Sequence, residues 1–221
     1  NVNSYRGVDK HGQRRDFPDL LKQINALKGD FWIKFISSHP KDVTEKLIET
    51  MRDCKKVSPN LHLPIQAGSD KILSLMNRQY TSKQYLNLVT MAKEIYPEIV
   101  ISSDIIVGFP GETKEDFNQS KKIVDKARFE MLYSLKYSKR PETAASKLKE
   151  TVDAIEKKRR QRELDLIWKK ISIQNNEKFL NKKIKFIVNS VKERGEKLII
   201  LGKSFEEDRK STRLNSSHRI R

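Results

Sequence analysis

Thiols are almost missing from this 221-residue chain, in which Cys54 is the single cysteine. One thiol builds no disulfide framework, so a small stapled secreted domain is excluded and a reducing, cytoplasmic setting is expected. Long apolar runs are missing as well: no stretch approaches the roughly 18 residues that a membrane-spanning helix needs. A soluble chain is therefore expected. No secretory leader is visible, and because the first residue is Asn1 rather than methionine, an upstream portion is expected to be missing. Histidines are few, and His39 and His62 each stand without a second imidazole or thiolate at ligand spacing. No metal ligands are expected within the chain. There is no nucleophile elbow and no Ser/His/Asp order, so hydrolase chemistry has no footing and no catalytic residue is assigned.

Positive charge, by contrast, is abundant, with 46 Lys+Arg against 29 Asp+Glu and a net charge of +17. Residues 1 to 150 carry 26 basic and 19 acidic residues, whereas 151 to 221 carry 20 and 10. The basic excess per residue is about threefold higher in the second part, which points to an RNA-backbone contact there or to a lysine-rich solvated surface.

Along the chain, short apolar runs alternate with helical periodicity. Asn1 to Gly12 is polar and expected as a loop. Phe17, Leu20, Leu21, Ile24 and Leu27 repeat at helical spacing behind Asp16, with Pro18 in the first turn and Gly29 at the stop. Strands are expected over 31–36, 61–65, 99–107 and 130–137, with helices opening near Asp42, Ser69, Thr81 and Thr113 between and after them. Cys54 falls on the inward face of the helix opening near Asp42 and is expected in the core. Strands spaced by about 30 to 40 residues with helices between them specify parallel pairing, in part of a barrel or in an open sheet. Asp153 to about Lys178 reads as a connecting helix, and the period-two runs after it read as a β-hairpin. The expected organisation is thus 1–150 as α/β domain, 151–180 as connector, 181–208 as a truncated small β-domain and 209–221 as a non-native tail.

Chemistry is expected at the strand ends. Gln66-Ala67-Gly68-Ser69 offers an amide, a glycine and a hydroxyl, suited to holding a ribose or an amino-acid group, or else Ser69 or Asp70 caps the next helix. Asp104 is the one charge in an apolar strand, and must be paired or face a cavity. Phe109, between Gly108 and Pro110, either stacks an aromatic base or anchors its loop on the core. The segment from Gly108 to Thr113 lacks a Walker lysine and is not a phosphate loop.

Several blocks taken together, Asn1-Val2-Asn3-Ser4-Tyr5, Ser38-His39-Pro40, His62-Leu63-Pro64-Ile65-Gln66-Ala67-Gly68-Ser69-Asp70, Ser103 to Thr113 and Tyr137-Ser138-Lys139-Arg140-Pro141, resemble the methylthiotransferase family of radical S-adenosylmethionine enzymes. The resemblance runs through about residue 180. The first two blocks are most similar to members that act on isopentenyladenosine in the tRNA anticodon loop; sister members act on threonylcarbamoyl-adenosine or on a ribosomal-protein aspartate. The resemblance implies a partial, parallel α/β barrel of the radical-SAM type, followed by an RNA-binding β-domain, in an α/β fold. It implies S-adenosylmethionine and two 4Fe–4S clusters in the full-length parent, with Gln66 and Ser69 at the methionyl and ribose groups, Asp104 lining the cavity, Phe109 and Tyr137 at the adenine, and Arg140 offered to tRNA phosphates. The family's cluster cysteines lie in a C-x-x-x-C-x-x-C motif and in a further N-terminal domain, and neither is in this sequence. On its own the chain is expected to be inactive, and a non-catalytic RNA-binding module is the rival reading. Ala67 stands where the family commonly has serine, and Glu142 where it commonly has glycine.

Overall fold

A computed structural model describes residues 1–36, 38–183, 185–194 and 197–205. The proposed non-native tail, 209–221, lies outside the described residues. The polar N-terminus is not a loop: a 3-10 turn over Val2–Ser4 leads into β1 (Arg6–Val8), which pairs antiparallel with β2 (Arg14–Asp16). The strands are charged and short, without the apolar alternation that would mark them in sequence. Asp9 closes the turn, accepting from the backbone N–H groups of His11 and Gln13.

Helix α1 (Phe17–Ala26) begins where Asp16 and Asp19 form a reciprocal capping box, and Lys46 bridges both carboxylates. The run over 31–36 forms no strand; only Ile33 pairs, in a single parallel bridge to Val57. After a 3-10 turn at Pro40–Asp42 comes α2 (Glu45–Asp53), capped by Thr44 rather than Asp42. Cys54, at its C-terminal cap, is buried in the core, as its spacing predicts.

The central sheet follows. Strand β3 (Asn60–His62), helices α3 (Asp70–Leu75) and α4 (Ser82–Ile95), strand β4 (Val100–Val107), helix α5 (Lys114–Ala127) and strand β5 (Met131–Lys136) form a parallel, three-stranded sheet of order β3-β4-β5 with its connecting helices. Among the described residues it is open rather than closed into a barrel. Helix ends are set chemically: Thr81 with Gln84, and Thr113 with Asp116, make capping boxes at α4 and α5.

One sheet face is the core. Ile101, Ser103, Ile105 and Val107 of β4 are buried among Leu61, Leu63, Tyr85, Phe117 and Phe129. Each large side chain removed from water here contributes about 1.5–3 kcal/mol. The opposite face is partly open. His62 lies beside Ser102, and Asp104 beside Tyr133, while Tyr133 and Leu135 are 44% and 48% exposed. Strand β4 is therefore covered on one face and at the start of the other.

Helix α6 (Ala154–Asn176) packs on β5 and α5. Leu164 and Ile171 are buried and Ile167 and Trp168 flank them as one apolar stripe. The last described elements form an antiparallel hairpin of β6 (Phe186–Arg194) and β7 (Lys197–Ser204). It is tied back to the α/β part by Ser58 Oγ donating to the Phe205 carbonyl at 2.5 Å and Lys34 Nζ donating to the Ser204 carbonyl at 3.0 Å.

Candidate functional site

All three parallel strands end at one cleft, of about 540 Å³. Gln66 follows β3, Phe109 follows β4, Tyr137 follows β5, and Asp104 reaches it from within β4. Arg140 lines it as well. Five of the six sequence-predicted residues thus meet in one place. Ser69 does not line it.

Gln66 has φ 78, a left-handed conformation that a non-glycine residue adopts at a cost of order 1–3 kcal/mol. It is held there by β4: its N–H donates to the Asp104 carbonyl and its carbonyl accepts from the Ile106 N–H, each at 2.9 Å. The strain turns the amide side chain toward the cleft, where no described residue hydrogen-bonds it. Asp104 is half-buried, and its nearest ionisable neighbour is His62, with Nε2 3.6 Å from Oδ2. That distance is too long for a hydrogen bond, so the carboxylate keeps its acceptor capacity. The other ring nitrogen of His62, Nδ1, is 3.0 Å from Ser102 Oγ.

Phe109 and Tyr137 stand edge to face, centroids 5.2 Å apart at 72°. Phe109 is only 4% exposed, so it anchors its loop and shows the cleft an edge. Tyr137 is pinned at both ends: its N–H donates to the Val107 carbonyl at 2.9 Å and its hydroxyl to the Ala145 carbonyl at 3.1 Å. Arg140 is exposed at the rim and pairs with no described carboxylate. Glu142, two residues on, has φ 66, the conformation that explains a glycine preference at this position.

Ser69 is buried and donates to Asp116 Oδ1 at 2.6 Å. Asp116 also accepts from the Thr113 N–H at 2.9 Å and from Lys71 Nζ at 3.1 Å. Burial pushes its carboxyl up, but these hydrogen bonds outweigh burial and bring it down to about 2. Gly68 meets α5 directly: a Cβ there would stand 2.4 Å from Ser120 Cα. The turn after β4 is locked from α6. Glu112 and Arg160, 1% and 7% exposed at their side chains, form an ion pair at 2.5 Å, and Glu112 also accepts from the Gly108 N–H at 2.7 Å. Burial nevertheless holds the Glu112 carboxyl above its usual range. Lys157 packs against Gly108 and bonds Glu150 at 2.6 Å.

Sequence reading missed Arg78. It follows Asn77, whose φ 55 ends α3 in a tight turn, and it lines the cleft. Its Nε is buried without a hydrogen-bond partner among the described residues. Nothing in the motif pattern flags an arginine between two helices; the turn-prone Asn77 before it is the local hint. Among the described residues no group of His, Cys, Asp and Glu is arranged to hold a metal, and no helix is long and apolar enough to cross a membrane.

Comparison with known proteins agrees with this geometry. The profile of the Radical SAM superfamily matches residues 10–124. The tRNA-2-methylthio-N(6)-dimethylallyladenosine synthase of Acetivibrio thermocellus is 46% identical over 198 residues, covering 90% of this chain and 41% of the relative. The ribosomal protein uS12 methylthiotransferase RimO of Thermotoga maritima is 41% identical over 182 residues, covering 82% of this chain and 42% of the relative. The chain thus spans about two fifths of the length of the curated relatives it matches. Among solved structures, the radical SAM enzyme coproporphyrinogen III oxidase (HemN) from Escherichia coli superposes with a TM-score of 0.51 at 16% identity, covering 74% of this chain and 44% of that one. At that identity the likeness concerns the fold.

Proposed function

Because the chain belongs to the radical SAM superfamily, we propose that its cleft is one wall of an S-adenosylmethionine site in a methylthiotransferase that modifies C2 of isopentenyladenosine in a tRNA anticodon loop. The observation that carries the reading is the convergence of Gln66, Asp104, Phe109 and Tyr137 on one cleft at the ends of three parallel strands. This donor set fits a nucleoside. An uncommitted amide and carboxylate accept from and donate to ribose hydroxyls, and an aromatic corner takes the adenine face. The strained Gln66 backbone persists where its side chain has a ligand to meet.

When bound, S-adenosylmethionine would supply the methyl group of such a reaction and, only on taking one electron from an iron–sulfur reductant, the hydrogen-abstracting radical. What this chain's residues do is hold it. Gln66 and Asp104 fix the sugar, Phe109 and Tyr137 exclude water from one side of the base, and Arg140 meets tRNA phosphate at the rim. Ser69 acts one layer behind, by fixing the Gln66 turn on α5. An iron–sulfur cluster does not fit the residues present, since it needs several thiolates and Cys54 is one buried thiol at the end of α2, raised in pKa by burial.

The isopentenyl reading is supported by the Acetivibrio relative and by the apolar lip that Leu75, Met76, Ile106 and Leu135 add to the cleft. The uS12-modifying relative keeps a ribosomal-protein substrate as the second reading. Calorimetric titration of this chain with S-adenosylhomocysteine tests the cofactor half: binding that weakens about tenfold in Gln66→Ala and Asp104→Ala supports it, and no binding sinks it. Mass spectrometry after deletion of the whole gene tests the substrate half. Loss of methylthio-isopentenyladenosine from tRNA is expected; unchanged tRNA with unmodified ribosomal protein transfers the assignment to the second reading.

A further inference from the structure

The Asn1-Val2-Asn3-Ser4-Tyr5 block stands outside the nucleoside contacts, and the structure gives it a mechanical task. Asn3 is 2% exposed. Its Nδ2 donates to the His39 carbonyl and its Oδ1 accepts from the His39 N–H, each at 2.9 Å, so one side chain serves both backbone groups of His39 as a strand neighbour would. Ser4 Oγ adds a bond to Asp42 Oδ2 at 2.5 Å. These contacts root the β1–β2 hairpin beside the cleft, since His39 Nε2 is 3.5 Å from Nη1 of Arg78, a cleft-lining residue.

The hairpin itself presents charge. It carries four basic residues, Arg6, Lys10, Arg14 and Arg15, and two acidic ones, Asp9 and Asp16. Both carboxylates are committed within the protein. Asp9 accepts from Arg15 Nε at 2.9 Å and from the His11 and Gln13 backbone N–H groups. Asp16 lies directly across the ladder from Arg6, yet it caps α1 and takes Lys46 Nζ at 2.9 Å instead. Arg6, Lys10 and Arg14 are left exposed with no carboxylate partner among the described residues, and Arg6 donates only to the Tyr5 carbonyl. The register sets Arg6 opposite Asp16 and Arg14 opposite Val8, so the two arginines share one face. They form a diagonal pair about 7–8 Å apart at Cα. With Val8 between them they line an open groove of about 650 Å³ beside α1. Like charges gathered on one face repel, and an anionic chain laid across them relieves that repulsion. Guanidinium forks in a row suit successive phosphates, each fork taking two oxygens.

We propose that the exposed face of the β1–β2 hairpin, through Arg6 and Arg14 with Lys10 at its tip, grips the sugar–phosphate backbone of the RNA whose base enters the cleft. The proposal rests on the reading that the substrate is RNA. It goes beyond that reading by putting a phosphate contact at the opposite end of the chain from the basic excess in 151–221, on a ribbon that Asn3 and Ser4 hold at the cleft's side. Such contacts fix the orientation of an RNA without reading its sequence.

Fluorescence anisotropy of a labelled anticodon stem-loop RNA, titrated with this chain over a series of salt concentrations, tests the surface. The unmutated chain is expected to bind with an affinity that falls as salt rises. Arg6→Gln combined with Arg14→Gln should weaken binding about tenfold at low salt and lower the slope of log affinity against log salt by about 1.5, as the loss of two phosphate contacts implies. Arg6→Lys combined with Arg14→Lys keeps the charge and should keep most of the slope. Lys122→Gln combined with Lys126→Gln removes the same charge from the exposed side of α5 and should leave the slope unchanged. An equal loss in the α5 variant, or competition by polyglutamate as strong as by unlabelled RNA, marks a general cation effect and overturns the proposal. A hairpin variant with unaltered affinity and slope overturns it too, as does an unmutated chain that binds no RNA. Failure of the substrate reading shows separately, as tRNA that keeps its methylthio group when the gene is deleted.

Discussion

The turns that follow β3 and β4 look alike in sequence, each a short run of Gly and small polar residues after an apolar strand, yet the structure uses them oppositely. The first holds Gln66 in a strained backbone with its side chain uncommitted in the cleft. The second commits its polar groups to the protein itself, with Glu112 buried against Arg160 and the Gly108 N–H. A binding turn leaves hydrogen-bond capacity open; a supporting turn closes it. The difference is decided by what packs behind. Behind the first lies the N-terminal part of α5, and behind the second lies α6 with two buried cations.

The contrast can be broken most severely at Glu112. Glu112→Ala should cost about 3 kcal/mol in chemical denaturation, the low end for breaking a buried pair because Glu156 still holds Arg160 Nε at 2.8 Å. A loss below about 1 kcal/mol would make the second turn no better anchored than the first. The joint between the turns is next. With the Asp116 carboxyl lowered to about 2, its contribution of about 2 kcal/mol is present above the usual carboxylate range and is lost as pH falls through about 2. Acid unfolding of Asp116→Asn should lack that component, and coincident acid profiles of the two proteins would refute it. Gln66→Gly separates the roles within the first turn. Relieving φ 78 should raise stability by about 1 kcal/mol while S-adenosylhomocysteine binding weakens, opposite signs that a purely structural glutamine would not give. The smallest effect is expected at the rim, where Glu142→Gly should raise the melting temperature by a few degrees, through about 0.5–1 kcal/mol.

Much of this was legible residue by residue. Asp16, Thr81, Thr113 and Asp153 cap helices as their spacing predicts, because capping is a local matter of one oxygen and one N–H. Strands β4 and β5, and Gln66, Asp104 and Phe109 at the cleft, follow from apolar runs that end in small polar residues, whereas Tyr137 and Arg140 were named through the family resemblance alone. Long-range chemistry was not legible. Ser69 reads equally as ligand or cap, and only the fold reveals Asp116, 47 residues away, as its partner. The run over 31–36 carries every strand signal, but a strand needs a neighbour along its length, and Val57 offers one bridge. Arg78 sits in no motif; what marks it is a buried Nε without a partner among the described residues, at the lining of the cleft.

The close approach of Gly68 and Ser69 to α5 bears on the order of events in folding. The Gly68 N–H to Ser120 Oγ bond at 2.9 Å and the Ser69 to Asp116 bond close loops of 52 and 47 residues. Such loops are entropically expensive until the helix is already docked. The turn that bears Gln66 should therefore take its final shape after the crossing of the rate-limiting barrier. Stopped-flow kinetics of Ser69→Ala would show this as faster unfolding with a nearly unchanged refolding rate, and a slowed refolding limb would instead place the turn in the nucleus.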